Sequence, residues 1–360
     1  MSRFTIDPDI RVAHTLPGQV YGCERSHRTL LDVAFGSAWH LGPDLTDLEA
    51  DALVPWLVGP GVLDEPVIVR ADVDGGLHAM SNVCTHRGAV LRDQPGNPKV
   101  LTCPYHGRRF DLQGRALSSP GFEKCGFPRE DEHLQRFRAT PFGPFSLIQL
   151  EAAAEDWAHR IAPVAALIEP LISVAMTAEP ADDHAYDMDC NWMLYVDNYL
   201  EGLHVPFVHP ALARALTLKD YTVETFPGGV LQIGMAQPGD HVFTLPADHP
   251  HAGQSIAAYY LWLFPHMMIN IYPWGISLNV VRPLGPSRTR VFYRTWVADP
   301  SKRGEGAGGD VHQTESEDQA IVHRVARGIR SRGYQRGRYA PIAERGVHHF
   351  HRMVAEILHR

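Results

Sequence analysis

Two short runs carry residues able to do electron-transfer chemistry: CTHRG, with Cys84 and His86, and CPYHG, with Cys103 and His106. Each offers one thiolate and one imidazole. Mixed ligation of this kind suits a [2Fe–2S] cluster in which two His replace two Cys on one iron and raise the reduction potential. Cys84 and Cys103 would hold one iron, His86 and His106 the other. Gly88 and Gly107 follow where a chain wrapping a cluster must turn tightly. Two Cys and two His can also close a tetrahedron around structural zinc. Zinc fingers, however, usually group Cys with Cys and His with His, and here each run pairs one of each.

A second set lies in NWMLYVDNYLEGLHVPFVHP. Read as a helix, Trp192, Tyr195, Val196, Tyr199 and Leu203 make an apolar stripe, with Asp197, Glu201 and His204 in a line beside it. His209 follows His204 by five residues, about 140° away on an unbroken helix. Pro206 predicts a break that swings His209 back, so that both imidazoles meet at one ion. Two His and one carboxylate form the facial triad of non-haem Fe(II) oxygenases, with positions open for oxygen and substrate. ESEDQAIVHRVARGI supplies the acid, because Asp318 shares a helix face with Ile321, Val322, Val325 and Ile329 and so points inward. An inward carboxylate without a cation is costly; the competing reading pairs it with an Arg. Glu315 and Glu317 read as solvated acids at the helix start.

The elements that position these residues follow from periodicity. Residues 1–42 read as an arm and a helix packing on another domain. From Leu53 the pattern is short strands: VIVRADVDGGLHAMSN is a hairpin about Asp-Gly-Gly, Gly114 turns the next pair, and FGPFSLIQL adds a further strand. A small β domain spans 43–153. Beyond it Trp157, Ile161, Val164, Leu167, Ile168, Leu171 and Ile172 recur at helical spacing. The remainder, 154–360, combines the His-bearing helix with strands at LQIGMAQ, AYYLWLF, MMINIYPW, ISLNVVRPL and RTRVFYRTWV, expected as one antiparallel sheet, then two helices. His348, His349 and His351 of the last helix read as surface or subunit-contact residues.

A chain of 360 residues with 44% hydrophobic and 21% charged content has ample core for about two domains. A net charge of −8 and a pI near 6.2 leave no basic footprint for nucleic acid or anionic lipid. The first residues lack the apolar core of a signal peptide, and the richest apolar run, Tyr259 to Ile276, is broken by Pro265, His266, Asn270 and Pro273. The cytoplasm is the expected location. Cys23, Cys125 and Cys190 show no pairing scheme, so disulfides are not expected.

Taken together, the chain resembles the oxygenase α subunit of Rieske non-haem iron ring-hydroxylating oxygenases over nearly its whole length. The Rieske loops correspond to Cys84, His86, Cys103 and His106; the acid-x2-His-x4-His pattern to Glu201, His204 and His209; the later acid of a Glu-Asp pair to Asp318. Glu at 201, where many arene dioxygenases carry Asp, and RGRYAPIAERGVHHFHR are similar to the choline- and carnitine-monooxygenase branch. The resemblance implies an α+β architecture, with an N-terminal all-β Rieske [2Fe–2S] domain and a C-terminal helix-grip (START/SRPBCC-like) catalytic domain. It further implies a head-to-tail homotrimer, mononuclear Fe(II), and NAD(P)H electrons arriving through a flavin reductase or ferredoxin. Glu201 would bridge the cluster of one subunit to the iron of the next. The substrate is expected to be a quaternary amine or an aromatic compound, with Phe207, Trp262, Tyr272 and Trp274 as candidate pocket-lining residues. A Rieske electron-transfer or ligand-binding protein with a non-catalytic helix-grip module is the alternative.

Overall fold

The fold is described from a computed structural model covering residues 5–359. It has two compact units, one of residues 36–157 and one of 1–35 with 158–360. Among the described residues no helix is long and apolar enough to cross a membrane.

The smaller unit is all β apart from single turns. Strands β1 (Trp39–Asp44), β2 (Leu53–Val58), β3 (Glu65–Ala71), β4 (Leu77–Ser81), β8 (Arg136–Phe142) and β9 (Phe145–Gln149) form a sheet of order β1-β9-β8-β4-β3-β2. The intervening β5 (Leu101–Thr102), β6 (Arg109–Phe110) and β7 (Ala116–Ser118) form a second, three-stranded sheet. Asp72–Gly76 makes the β3–β4 turn and Gly114, at φ +82°, the β6–β7 turn. Cys84 and Cys103 are part of the core shared by Leu53, Ile68, Phe110 and Leu134. The cluster loops are therefore anchored in packed apolar side chains.

The larger unit is built on an antiparallel sheet. Strands β10 (Thr177–Ala178), β12 (Thr222–Phe226), β13 (Gly229–Met235), β14 (Ile256–Leu263), β15 (Met267–Tyr272), β16 (Gly275–Gly285) and β17 (Arg288–Val297) run in the order β10-β17-β16-β15-β14-β13-β12, and β11 (His184–Met188) pairs with β17. Every residue of β14 and β15 is buried, so these strands read as continuous apolar runs rather than alternating ones.

The helices are α1 (Glu24–Leu30), α2 (Trp157–Ile161), α3 (Ala165–Ile172), α4 (Trp192–Tyr199), α5 (Val205–Val208), α6 (Pro210–Ala215), α7 (Val311–Gly328) and α8 (Arg345–His359). Helix α8 turns Val347, Phe350, Val354 and Ile357 inward at helical spacing. Phe350 meets Trp262 of β14 and Trp192 of α4 with ring centroids 5.3 and 5.7 Å away. Each such buried ring contributes roughly 1.5–3 kcal/mol. Sheet and gripping helices give the α+β, helix-grip architecture.

Three local expectations are corrected. The His-bearing helix does not run on to Pro206: α4 is capped by the Asn191 side chain on Met193 N–H and ends at Tyr199. Leu203, expected in the apolar stripe, is 49% exposed. Pro206 opens α5 instead of closing α4, as suits a residue that lacks a donor and is preset to helical φ. On α7 the buried side is Glu315, Val322 and Ala326, while Val325 is exposed. In α8, His348 and His351 are buried rather than on the surface. His351 donates or accepts at both nitrogens, to Asp197 and Tyr21 through Nε2 and to Tyr339 through Nδ1. That ties the C-terminal helix to α4.

Candidate iron centres

The two loops of the smaller unit are near copies of one another. Cys84 N–H donates to the Ala89 carbonyl and Cys103 N–H to that of Arg108, each at 2.8 Å; the Gly88 and Gly107 amides return to the Cys84 and Cys103 carbonyls at 3.0 and 3.1 Å. Both glycines are left-handed, at φ +70° and +71°, where a side chain costs roughly 1–2 kcal/mol. The result is one thiol and one imidazole presented by each loop. Cys84 and Cys103 are 2% and 3% exposed, and the His86 and His106 rings meet edge-on at 4.8 Å.

His86 Nδ1 is buried without a hydrogen-bond partner among the described residues. Ligation to a cluster iron would satisfy that orphan nitrogen. Burial, with His106, Arg108 and Arg87 nearby, lowers the His86 pKa and favours the neutral ring that binds metal. Burial also pushes the Cys84 thiol up. At Cys103 it is outweighed by the Tyr105 and His106 amides and the Cys84 thiol, which hold that group below its usual value. The donor set fits a mixed-ligand [2Fe–2S] cluster.

Behind the loops stands a residue that sequence reasoning missed. Arg108 is 1% exposed, donates to Thr85, Ser119 and Glu132, and lies 4.9 Å from the Phe122 and Phe127 ring centres. Its place directly after CPYHG was the available signal.

In the larger unit His204, His209 and Asp318 converge. Asp318 Oδ1 is 2.9 Å from His209 Nε2 and 3.6 Å from His204 Nε2. Each ring has its other nitrogen on a carboxylate: His204 Nδ1–H donates to Glu201 Oε1 at 2.7 Å and His209 Nδ1–H to Glu317 Oε2 at 2.8 Å. With both Nδ1 atoms protonated, the two Nε2 lone pairs face Asp318, the carboxylate–histidine arrangement that orients metal ligands. Burial works against a charged His209, but Asp318 and Glu317 outweigh it and raise its pKa. Asn198 Nδ2 donates to Asp318 Oδ1 at 2.6 Å. These donors fit a single divalent iron.

The local fold explains the convergence. Once α4 ends, Glu201 Oε2 accepts from the backbone N–H groups of Leu203 and His204, capping the turn that leads into α5. Its other oxygen holds the His204 ring.

Glu317 corrects the expectation of a solvated acid: it holds His209 and is itself held by Gln313. Glu315 corrects it further, being 4% exposed. Burial pushes its carboxyl up to about 7, against the pull of His184. Asn198 and Glu317 went unrecognised as site residues; Glu317 follows Gln313 by four, the helical spacing that brings their side chains together, whereas the Asn198 partner, Asp318, is 120 residues away.

A cavity of about 80 Å³ adjoins this cluster, lined by Glu201, His204, His209, Asp318, Glu315 and the rings of Tyr195, Tyr199, Tyr221, Tyr260 and Tyr272. Of the expected lining residues only Tyr272 is among them. Trp274 stacks behind it, centroids 5.3 Å apart. Phe207 is 82% exposed, because its four-residue helix turns it outward. Trp262 follows Tyr260 by two residues on the same strand face, roughly 7 Å on, where α8 covers it. A larger cavity of about 1050 Å³ beneath residues 329–336 has no His, Cys, Asp or Glu among its described lining residues, so it is not the metal site.

A mixed Cys/His cluster unit followed by a helix-grip unit with two His and a carboxylate defines a Rieske-type non-haem iron oxygenase. The model of the Rieske [2Fe–2S] domain matches residues 48–137, and that of the ring-hydroxylating α subunit catalytic domain matches residues 175–360. The chain belongs to the ring-hydroxylating oxygenase α subunit family. It is similar to the chloroplastic choline monooxygenase of Arabidopsis thaliana, 30% identical over 80% of this chain and 70% of that one. It is 25% identical to the carnitine monooxygenase oxygenase subunit of Escherichia coli (strain K12), over 96% and 94% of the two chains. A solved quaternary ammonium Rieske monooxygenase superposes with a TM-score of 0.74 at 22% identity, covering 98% and 96%. Naphthalene 1,2-dioxygenase from Rhodococcus sp. superposes at 0.69 with 17% identity, covering 96% and 94%.

Proposed function

We propose that this oxygenase hydroxylates a small quaternary ammonium compound, and that the tyrosine cavity is where the cation is held. The supporting observation is the make-up of the cavity wall. Tyr199, Tyr221, Tyr260 and Tyr272 surround it together with the carboxylates of Glu201, Asp318 and Glu315, and no Lys or Arg is among the described lining residues. Tyr260 meets Tyr272 edge-on at 6.0 Å and Tyr221 in a stacked pair at 6.3 Å. Aromatic faces attract a desolvated cation by about 0.5–2 kcal/mol each. A neutral arene needs neither the carboxylates nor the absence of basic groups. The relatives named for choline and carnitine oxidation agree with this reading.

The metal ligands would be His204, His209 and Asp318 for the iron, and Cys84, His86, Cys103 and His106 for the cluster. Iron bound by the first set supplies the centre at which O₂ is reduced. The overall change, R–H + O₂ + 2 e⁻ + 2 H⁺ → R–OH + H₂O, draws its electrons from a reductase or ferredoxin. The chain's own residues hold the substrate against the triad, fix the two imidazoles through Glu201 and Glu317, and wall the cavity with buried rings. We place the Rieske domain at 43–153 and the catalytic domain at 154–360, with the arm expected over 1–42 divided between them: residues 5–35 belong to the larger unit, and from Trp39 the chain joins the smaller unit as β1. The working assembly is a cytoplasmic homotrimer in which the His106 loop of one subunit faces Glu201 of the next.

Three measurements test this. Metal and acid-labile sulfide analysis should give iron and sulfide in a ratio of about 3:2, and two irons alone would remove the catalytic site. Oxygen uptake with a matched reductase should be stoichiometric with product for choline-like cations and uncoupled for naphthalene-like arenes; the reverse preference would overturn the substrate class. Glu201→Gln should keep both metals yet slow coupled turnover, read as peroxide released per O₂ consumed.

A further inference from the structure

A second cluster of donors lies one helical turn from the triad. His312 and Glu315 stand at i and i+3 on α7, and His184 opens β11; their ligating atoms lie within 4.8 Å of one another. These side chains meet at an open groove of about 450 Å³, whose wall also includes Asp182, Tyr293 and Arg303.

The hydrogen bonds fix where the lone pairs point. His184 Nδ1–H donates to the Asp182 carbonyl at 2.6 Å, an atom that can only accept. The proton of a neutral His184 is therefore on Nδ1, and its bare Nε2 faces Glu315 Oε2 at 3.0 Å. Two lone pairs at that distance need something positive shared between them. Two donors about 2.1 Å from one ion lie roughly 3.0–3.4 Å apart between a right and a tetrahedral angle, so the 3.0 Å spacing is at the short end of what a metal gives. Stacking on Tyr293, centroids 4.6 Å apart and planes 12° off, sets the ring orientation. The Tyr186 hydroxyl contacts His312 Nδ1.

The neighbouring charges are already matched. Asp182 pairs with Arg303, and Asp183 with Arg294 at 3.2 Å. Glu315 has no Lys or Arg ion pair among the described residues, and its Oε1 is buried without a hydrogen-bond partner there. A single proton between His184 and Glu315 would account for one carboxylate oxygen. It leaves the other oxygen, and the approach of His312 from the solvent side, without a role.

We propose that His184, His312 and Glu315 form a second metal site, separate from the catalytic triad, which takes a divalent cation of the zinc type from solution. Mixed imidazole and carboxylate donors select such ions over calcium or magnesium. Glu315 also lines the catalytic cavity. Occupancy brings positive charge to the wall facing the substrate.

The test uses the full-length protein with its cluster, dialysed against buffered Zn²⁺ and analysed for metals. A His204→Ala, His209→Ala variant, unable to hold the catalytic ion, should still take up one zinc per chain, with an X-ray absorption edge showing two imidazoles. Adding His312→Ala, a change at an exposed helix position, should weaken that uptake at least tenfold while circular dichroism and the cluster spectrum stay unchanged. Tyr186→Phe should weaken it less than His312→Ala does, as for an orienting partner rather than a ligand. Absence of zinc uptake in the double variant would overturn the proposal, as would uptake indifferent to His312→Ala.

Discussion

The two iron centres orient their ligands by opposite means. In the cluster loops, backbone does the work: matched amide–carbonyl bonds and two left-handed glycines aim each thiol and imidazole. In the catalytic unit, side chains do it: Glu201 and Glu317 each fix one imidazole, and Asn198 fixes the aspartate. A backbone-built site is a local object that tolerates changes elsewhere in the fold. A side-chain-built site depends on α4, α5 and α7 keeping their places, but each ligand can be adjusted separately.

The sharpest break of this contrast is removal of a ligand on either side. His209→Ala should abolish bound mononuclear iron and coupled turnover while the visible spectrum of the cluster is retained; Cys103→Ser should do the converse, as metal and sulfide analysis will show. Next in size is Glu317→Ala, expected to weaken iron binding about 10–100-fold through loss of the His209 orienting bond. Titration of iron-depleted protein with Fe(II) under anaerobic conditions measures it, and an unchanged affinity would show that His209 needs no side-chain support.

Gly107→Ala probes the backbone side. An added Cβ would meet Pro120 at an ordinary 3.6 Å, so the cost is conformational, roughly 1–2 kcal/mol. Thermal melts should show a loss of several degrees for the smaller unit, with iron affinity at the triad untouched. The smallest effect is expected from Tyr260→Leu: a rise in KM for a quaternary ammonium substrate of about 2- to 30-fold, the equivalent of one cation–π contact, with both metals in place. Steady-state oxygen uptake reads it.

The same contrast explains what could be read in the sequence. The paired cluster loops were legible because their geometry is local, with Cys, His and Gly at fixed short offsets. The strands of the larger sheet were legible from runs such as Ile256–Leu263 and Arg288–Val297. Asp318 could be placed because one helix face carries it inward. Glu317 was misjudged because a helix wheel shows which side a residue faces but not that His209, 108 residues earlier, will cover it. Trp262 is not at the cavity for a related reason: it shares a strand face with Tyr260, but α8 covers that part of the face. Phe207 was named for its aromatic ring alone, and the four-residue helix that carries it turns it to solvent.

The dual attachment of Glu201 has a further consequence. One oxygen is tied to two main-chain amides and the other to an imidazole, so the carboxylate cannot swivel when charge arrives or leaves beside it. Were Glu201 the proposed relay, a carboxylate held this stiffly would keep the reorganisation energy of an electron hop low. Glu201→Asp, one methylene shorter, could not span both anchors without the loop after α4 moving inward.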